Sequence, residues 1–246
     1  MLENIIQTAQ VAGQFYEANP ERLRKNLAAM AEKAEFREPG LPVRAVILPH
    51  AGYVFSGLTA LKTMAQAKFG SYKRALLLAP THHVGFRSVA LPAYSGFRTP
   101  LGTVPVDLEA LTRLQQLNSP LFQVIGEAHY GEHSLEVELP LWQFFFGDRP
   151  IIPLITGQLS FTQVRRAAEV LREFFEPETL WIVSSDFTHY GASFGYQPFT
   201  TAIRENLARL DGEALKYIED KDLDGFERFL ARTGATICGA VGIELL

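Results

Sequence analysis

Residues 44–50 read RAVILPH, and residues 74–83 read RALLLAPTHH. In both, a short apolar run ends at proline with histidine close behind. Such runs, bounded by turn residues, read as buried strands over 44–48 and 74–79. Between them, GLTALKTMAQAKFG at 57–70 reads as a helix that stops at Gly70. Strand, helix, strand is a β-α-β unit, so the two strands are expected as a parallel pair joined by a right-handed crossover.

The same alternation continues outward. PIIPLI (150–155) and LWIVSS (180–185) read as further strands. Helices are expected over 20–35, where Pro20 sits in the first turn and Leu23, Leu27, Met30 and Ala34 recur at helical spacing, and over 161–176, 200–218 and 222–232. Residues 88–106 alternate and carry Pro and Gly, which predicts short strands or a hairpin. SLEVELPLWQFFF (134–146) places Leu135, Leu139 and Trp142 on one helical face, with Pro140 implying a kink or break. The class is therefore α/β: one domain over 1–246, a mostly parallel central sheet, and helices on both faces. No repeat, low-complexity tract or linker interrupts it.

The 246 residues are 47% hydrophobic and 20% charged, which suits a soluble globular chain. A net charge of −4 supplies no global attraction to nucleic acid or to an anionic membrane. The single cysteine, Cys238, rules out an intramolecular disulfide and makes the cytoplasm the simple expectation. The N-terminus carries Glu3 and lacks the apolar centre of a signal peptide. No window approaches the roughly 18 apolar residues of a membrane span.

Open α/β sheets bind ligands beyond the carboxyl ends of their strands. His50 follows strand 44–48, His82 and His83 follow strand 74–79, and Asp186 and His189 follow strand 180–185. Four of the six histidines thus sit just after three strands, and neutral imidazoles converging on one edge are suited to Fe, Cu or Zn. His133, in GEAHYGEHSLE at 126–136, can join from a loop that enters a helix. Taken singly, each residue has an ordinary reading. His50 can be a turn residue and Asp186 a cap, His83 points away from its neighbour by alternation, and a lone Cys238 behaves as a small apolar residue. Repetition over three strands is what favours a site. Ser184 and Ser185 precede Asp186 and His189, but neighbours on one short loop imply no serine triad. CxxC, HExxH, Walker and GxSxG motifs are absent, and GAVG (239–242) lacks the third glycine of a dinucleotide fingerprint.

LPHAGYVFSG (48–57), LLLAPTHHVGF (76–86), EHSLEVELP (132–140), VSSDFTHYG (183–191) and TICGAVGI (236–243) occur in one order, with GQFY at 13–16 ahead of them. Together they closely resemble the Memo family over nearly the whole chain. The resemblance implies a fold like that of the class III extradiol dioxygenases. It implies His50, His82 and Cys238 as metal ligands, with the thiol standing where those dioxygenases use a carboxylate. It implies His189 as acid/base, Asp186 as its neighbouring acid, and His133 as a further pocket residue. Family members continue through further strands past the CG motif, so with its end at Leu246 the chain is expected to be short or truncated.

Two histidines and an anionic ligand make a facial triad, and a thiolate in it shifts preference from iron toward copper, above all Cu(I). The expectation is an iron- or copper-dependent redox protein or oxidoreductase with an unknown small-molecule or protein substrate. The resemblance extends to component B of a bacterial and archaeal trio, which implies a radical-SAM protein and an AMMECR-type domain protein as partners. A non-catalytic module that holds phosphorylated or other anionic ligands in a vestigial dioxygenase pocket is the alternative. Hydrolysis by a zinc-bound water uses the same ligands.

Overall fold

In the computed structural model, which describes residues 5–34, 38–118 and 120–246, the chain enters through a two-residue strand, β1 (Ile6–Gln7). Helix α1 (Pro20–Glu32) starts where Asn19 accepts a hydrogen bond from the Arg22 N–H at 2.9 Å, and it buries Leu23 and Leu27. Strand β2 (Ala45–Leu48) leads through a π-type turn, Tyr53–Gly57, into α2 (Leu58–Gln66) and then β3 (Arg74–Pro80). Next come β4 (Val89–Leu91), the antiparallel pair β5 (Gly96–Thr99) and β6 (Gly102–Pro105), α3 (Leu108–Asn118) and β7 (Phe122–Val124). Two single-turn helices, α4 (Gly126–His129) and α5 (His133–Glu136), precede α6 (Leu139–Phe146) and β8 (Ile151–Thr156). Helix α7 (Phe161–Leu171) opens with a reciprocal cap between Ser160 and Gln163. Strand β9 (Thr179–Ser184), α8 (Ile203–Glu219), α9 (Leu223–Thr233) and α10 (Ala240–Leu245) complete the order.

The fold is the expected α/β class. The central sheet runs β2-β9-β3-β8-β4-β7, and β2, β9, β3 and β8 are mutually parallel. Every residue of β8 and β9 is buried, as strands covered on both faces must be. Helices α1, α2 and α6 pack together over the β2 side, and α3, α7 and α10 pack on β3, β8 and β9 from the other layer. One continuous apolar core joins the layers. A second sheet, β1-β5-β6, lies apart from the first.

Three expectations need correction, and the short strands or hairpin expected over 88–106 are present and become specific. Strands β2 and β3 are parallel but unpaired, because β9 lies between them and bonds to both. Residues 134–146 form two helices, and Pro140 lies in the first turn of α6, where its missing N–H removes no helical bond. Within 88–106 the hairpin is β5–β6 alone, whereas Val89–Leu91 joins the central sheet antiparallel to β8. The helix expected over 161–176 ends at Leu171 and tightens into a 3₁₀ turn, Arg172–Phe174. Helices α3 and α10 have no counterpart in the periodicity reading. Glu3 and residue 35 lie outside the described residues. Among the described residues no helix is long and apolar enough to cross a membrane.

Candidate functional site

The insertion of β9 between β2 and β3 gives three adjacent parallel strands whose carboxyl ends open on one edge. His50 leaves the end of β2, Ser184–Asp186 the end of β9, and His82 the end of β3. The His50 N–H donates to Asp186 Oδ1 at 3.0 Å, so one loop fixes the other. His50 is 1% exposed, and burial, together with the neighbouring imidazoles of His82 and His133, outweighs the Asp186 charge and lowers it to about 4. Its ring is therefore neutral at pH 7, as a ligand ring must be.

Glu132 orients His82. The carboxylate accepts from the His82 N–H at 2.6 Å and from Nδ1 at 2.8 Å. It also accepts from the Ser134 N–H at 3.2 Å, and the Ser134 hydroxyl shares its proton between Glu132 and Pro80 O. Burial works against the charge of Glu132, yet these bonds hold it at about 2. His82 responds in the opposite sense. Burial lowers it, but its hydrogen bonds to Cys238 and Glu132 prevail and raise it to about 9. Because a carboxylate can only accept, Nδ1 of His82 carries hydrogen and Nε2 faces away from Glu132.

Cys238 arrives just before α10. Its Sγ lies 3.3 Å from His50 Nε2 and accepts from the Asp186 N–H at 3.3 Å. Gly239 allows this approach, since a Cβ there would lie 2.5 Å from the Ser184 carbonyl oxygen and 2.4 Å from Ser185 Cβ. His133 stands opposite, its ring centroid 4.6 Å from that of His82 and 5.5 Å from that of His50. Nitrogen donors of His50, His82 and His133 all lie within 4.8 Å of one another. Burial, then the charge of His82, lowers His133. His189 donates from Nδ1 to Thr236 O at 2.9 Å, which places its Nε2 4.0 Å from Asp186 Oδ2.

The edge is open on one side. A cleft of about 320 Å³ is lined by His82, His83, Thr156, Gly157, Cys238 and Val241. The side chains of His82, His189 and Asp186 keep 28%, 27% and 22% of their exposure. His83 sits at the rim with its ring 6.2 Å from that of His133, and His83, Glu132 and His133 form a second close donor set. All seven residues singled out in the sequence therefore lie around one edge. His129 does not join them; it is buried and lowered to about 4, chiefly by burial.

The donor set suits a first-row metal. Metal–nitrogen and metal–sulfur bonds of about 2.1 and 2.3 Å, at angles from square to tetrahedral, require N···S separations of roughly 3.1–3.6 Å. The observed 3.3 Å falls inside that range.

Four supporting groups were not legible beforehand. Glu132 had one signal, an acid at the N-cap of a short helix beside a histidine. Glu136 is buried and accepts from the N–H groups of Gln10 and Val11 and from Tyr16 OH at 2.6 Å, which ties segment 10–16 to α5. That tie brings the Phe15 ring to 4.8 Å from that of His133. Ser184 is fully buried and bonds to Ser134 O, so it is no nucleophile, and Glu138 lies behind it.

Residues 7–246 match the family model described as Memo-like protein. A MEMO1 family protein of Schizosaccharomyces pombe is 30% identical over 273 aligned positions, covering 100% of this chain and 87% of the relative. The protein memo-1 homolog of Caenorhabditis elegans is 30% identical over 94% of this chain and 67% of its own length. Protein MEMO1 of Homo sapiens is 28% identical over 98% and 83%.

Proposed function

The chain belongs to the Memo family, and on that premise we propose that it is a metal-binding redox protein or oxidoreductase in which His50, His82 and Cys238 hold one iron or copper ion. The observation that carries this reading is the thiol of Cys238 at 3.3 Å from His50 Nε2, with His82 lining the same cleft as that sulfur. When bound, such an ion supplies one-electron chemistry that none of these side chains has.

The chain's own groups divide the remaining work. His50 offers a neutral nitrogen, while His82 must lose a proton before it can ligate, so loading releases protons and weakens in acid. Glu132 keeps the His82 ring in one orientation throughout. His189, fixed through Nδ1 and partly exposed at the same edge, can take a proton from a substrate or return it. Asp186 lies 3.9 Å from His50 Nε2, whose charged form it favours, and 4.0 Å from His189 Nε2. His133 supplies a further nitrogen beside the ligands. A small-molecule or protein substrate, with a radical-SAM protein and an AMMECR-type domain protein as partners, belongs to the same proposal.

The carboxylates of buried Glu132 and half-buried Asp186 would repel a phosphorylated ligand, which favours the metal reading over an anion-binding module. The test is titration of chelator-stripped, anaerobically purified protein with Fe(II) and with Cu(I). Binding at about one ion per chain is expected. Unchanged binding in a His50→Ala, His82→Ala double variant would discard the reading, and tight uptake of Zn(II) alone would redirect it to hydrolysis.

A further inference from the structure

Glu138 has 0% exposure, and its Oε2 has no hydrogen-bond partner among the described residues. Its Oε1 lies 3.2 Å from Ser184 Oγ. The nearby Tyr53 hydroxyl offers it nothing, because that proton goes to Val137 O at 2.7 Å. Ser184 Oγ also lies 2.6 Å from Ser134 O and 2.7 Å from His50 Nδ1.

The contact with His50 can be satisfied in only one way. A serine hydroxyl has one proton and two lone pairs, and a carbonyl oxygen has no proton to give. At 2.6 Å the hydroxyl proton must lie between Ser184 and Ser134 O, since two bare acceptors would otherwise face each other. Ser184 therefore accepts from His50, which donates from Nδ1. A share of the same proton at 3.2 Å would leave a fully buried Glu138 carboxylate with one weak donor and a bare Oε2, whereas a protonated Glu138 donates to Ser184 instead. Burial supports this from a separate direction: it raises Glu138 well above the usual carboxylate range, and the charge of Asp186 adds to the effect.

We propose that Glu138 is a neutral carboxylic acid in the native protein and that Glu138 and Ser184 form a positioning pair which holds His50 as its Nδ1–H tautomer. His50 Nε2 is then a lone-pair donor aimed at Cys238 before any ion arrives. The consequence for metal affinity rests on the reading in the preceding subsection; the protonation pattern stands without it.

The experiment uses the full ¹⁵N-labelled chain in chelator at neutral pH. Ring-nitrogen NMR compares wild type, Ser184→Ala and Glu138→Gln, infrared spectra compare wild type with Glu138→Gln, and zinc(II) titration follows. Wild type should show His50 protonated at Nδ1 and bare at Nε2. The infrared difference should contain the carbonyl band of a neutral acid, shifted in D₂O. Ser184→Ala should mix the tautomers and lose about 10- to 100-fold in zinc affinity. Glu138→Gln, whose amide still donates to Ser184, should keep the Nδ1–H tautomer. A wild-type His50 protonated at Nε2, or only a carboxylate signature at Glu138, overturns the proposal. If Ser184→Ala does not fold, the wild-type ring spectrum and the infrared difference decide. If zinc does not bind wild type, the ring spectrum and the infrared difference decide the proposal, and the metal reading is decided separately by the Fe(II) and Cu(I) titrations.

Discussion

Replacing Glu132 by Gln removes one charge and changes one oxygen into a donor. The side chain is 1% exposed, so solvent does little to screen its interactions. A carboxyl held at about 2 against an ordinary 4.5 corresponds to about 3 kcal/mol of stability at ~1.4 kcal/mol per pH unit. The raised value of His82 reports the same ion pair from its other partner and is not added. In the variant, an amide NH₂ facing either the His82 N–H or its ring N–H leaves a donor unpaired, a cost of about 1–3 kcal/mol that this estimate already contains in part. Glu132→Gln is therefore expected to lose about 3 kcal/mol at pH 7, read by urea unfolding of the metal-free protein. The pH dependence gives a second check. The folded value lies below the unfolded one, so the contribution is complete above about pH 4.5 and is lost as pH falls toward about 2. By pH 3 the gap between wild type and variant should have shrunk to less than half of its pH 7 size. A variant within about 0.5 kcal/mol of wild type at pH 7, or a gap that stays constant down to pH 3, refutes the view of Glu132 as the charged anchor of His82.

Three further outcomes follow from the same geometry. Gly239→Ala forces a Cβ onto the Ser184 carbonyl and should cost about 1–3 kcal/mol in chemical denaturation while displacing Cys238, which thiol alkylation rates would reveal. Cys238→Ser replaces a soft donor with a hard one, so competition against chelators should show a larger loss for Cu(I) than for Fe(II); equal losses would argue against sulfur as a ligand. Tyr16→Phe removes the hydrogen bond to buried Glu136 and should lower stability by about 1–3 kcal/mol in a thermal or urea melt, with less effect on metal uptake than Cys238→Ser.

Much of this protein is written locally. The apolar runs 44–48, 74–79, 150–155 and 180–185 each became a parallel strand, because a strand covered on both faces needs an unbroken apolar stretch. Histidines placed just after those strands lie along one edge for the same reason, since parallel strands end on the same side. Short or mixed segments were less legible. Pro140 signalled a break but could not show that it begins a new helix, and the six residues of α10 are too few for a helical period to stand out.

What the linear order determined by itself was the class of fold and the edge on which chemistry-bearing residues would fall, because hydrophobic period and strand polarity are properties of contiguous residues. Only the tertiary structure decided that β9 lies between β2 and β3, that Cys238 meets His50 across 188 positions, and that three glutamates within seven residues have three different tasks. Glu132 orients His82, Glu136 holds segment 10–16, and Glu138 is buried behind Ser184. Strand order depends on pairing between distant segments, and a carboxyl group's charge depends on which donors surround it once water has been removed; neither is a property of neighbouring letters.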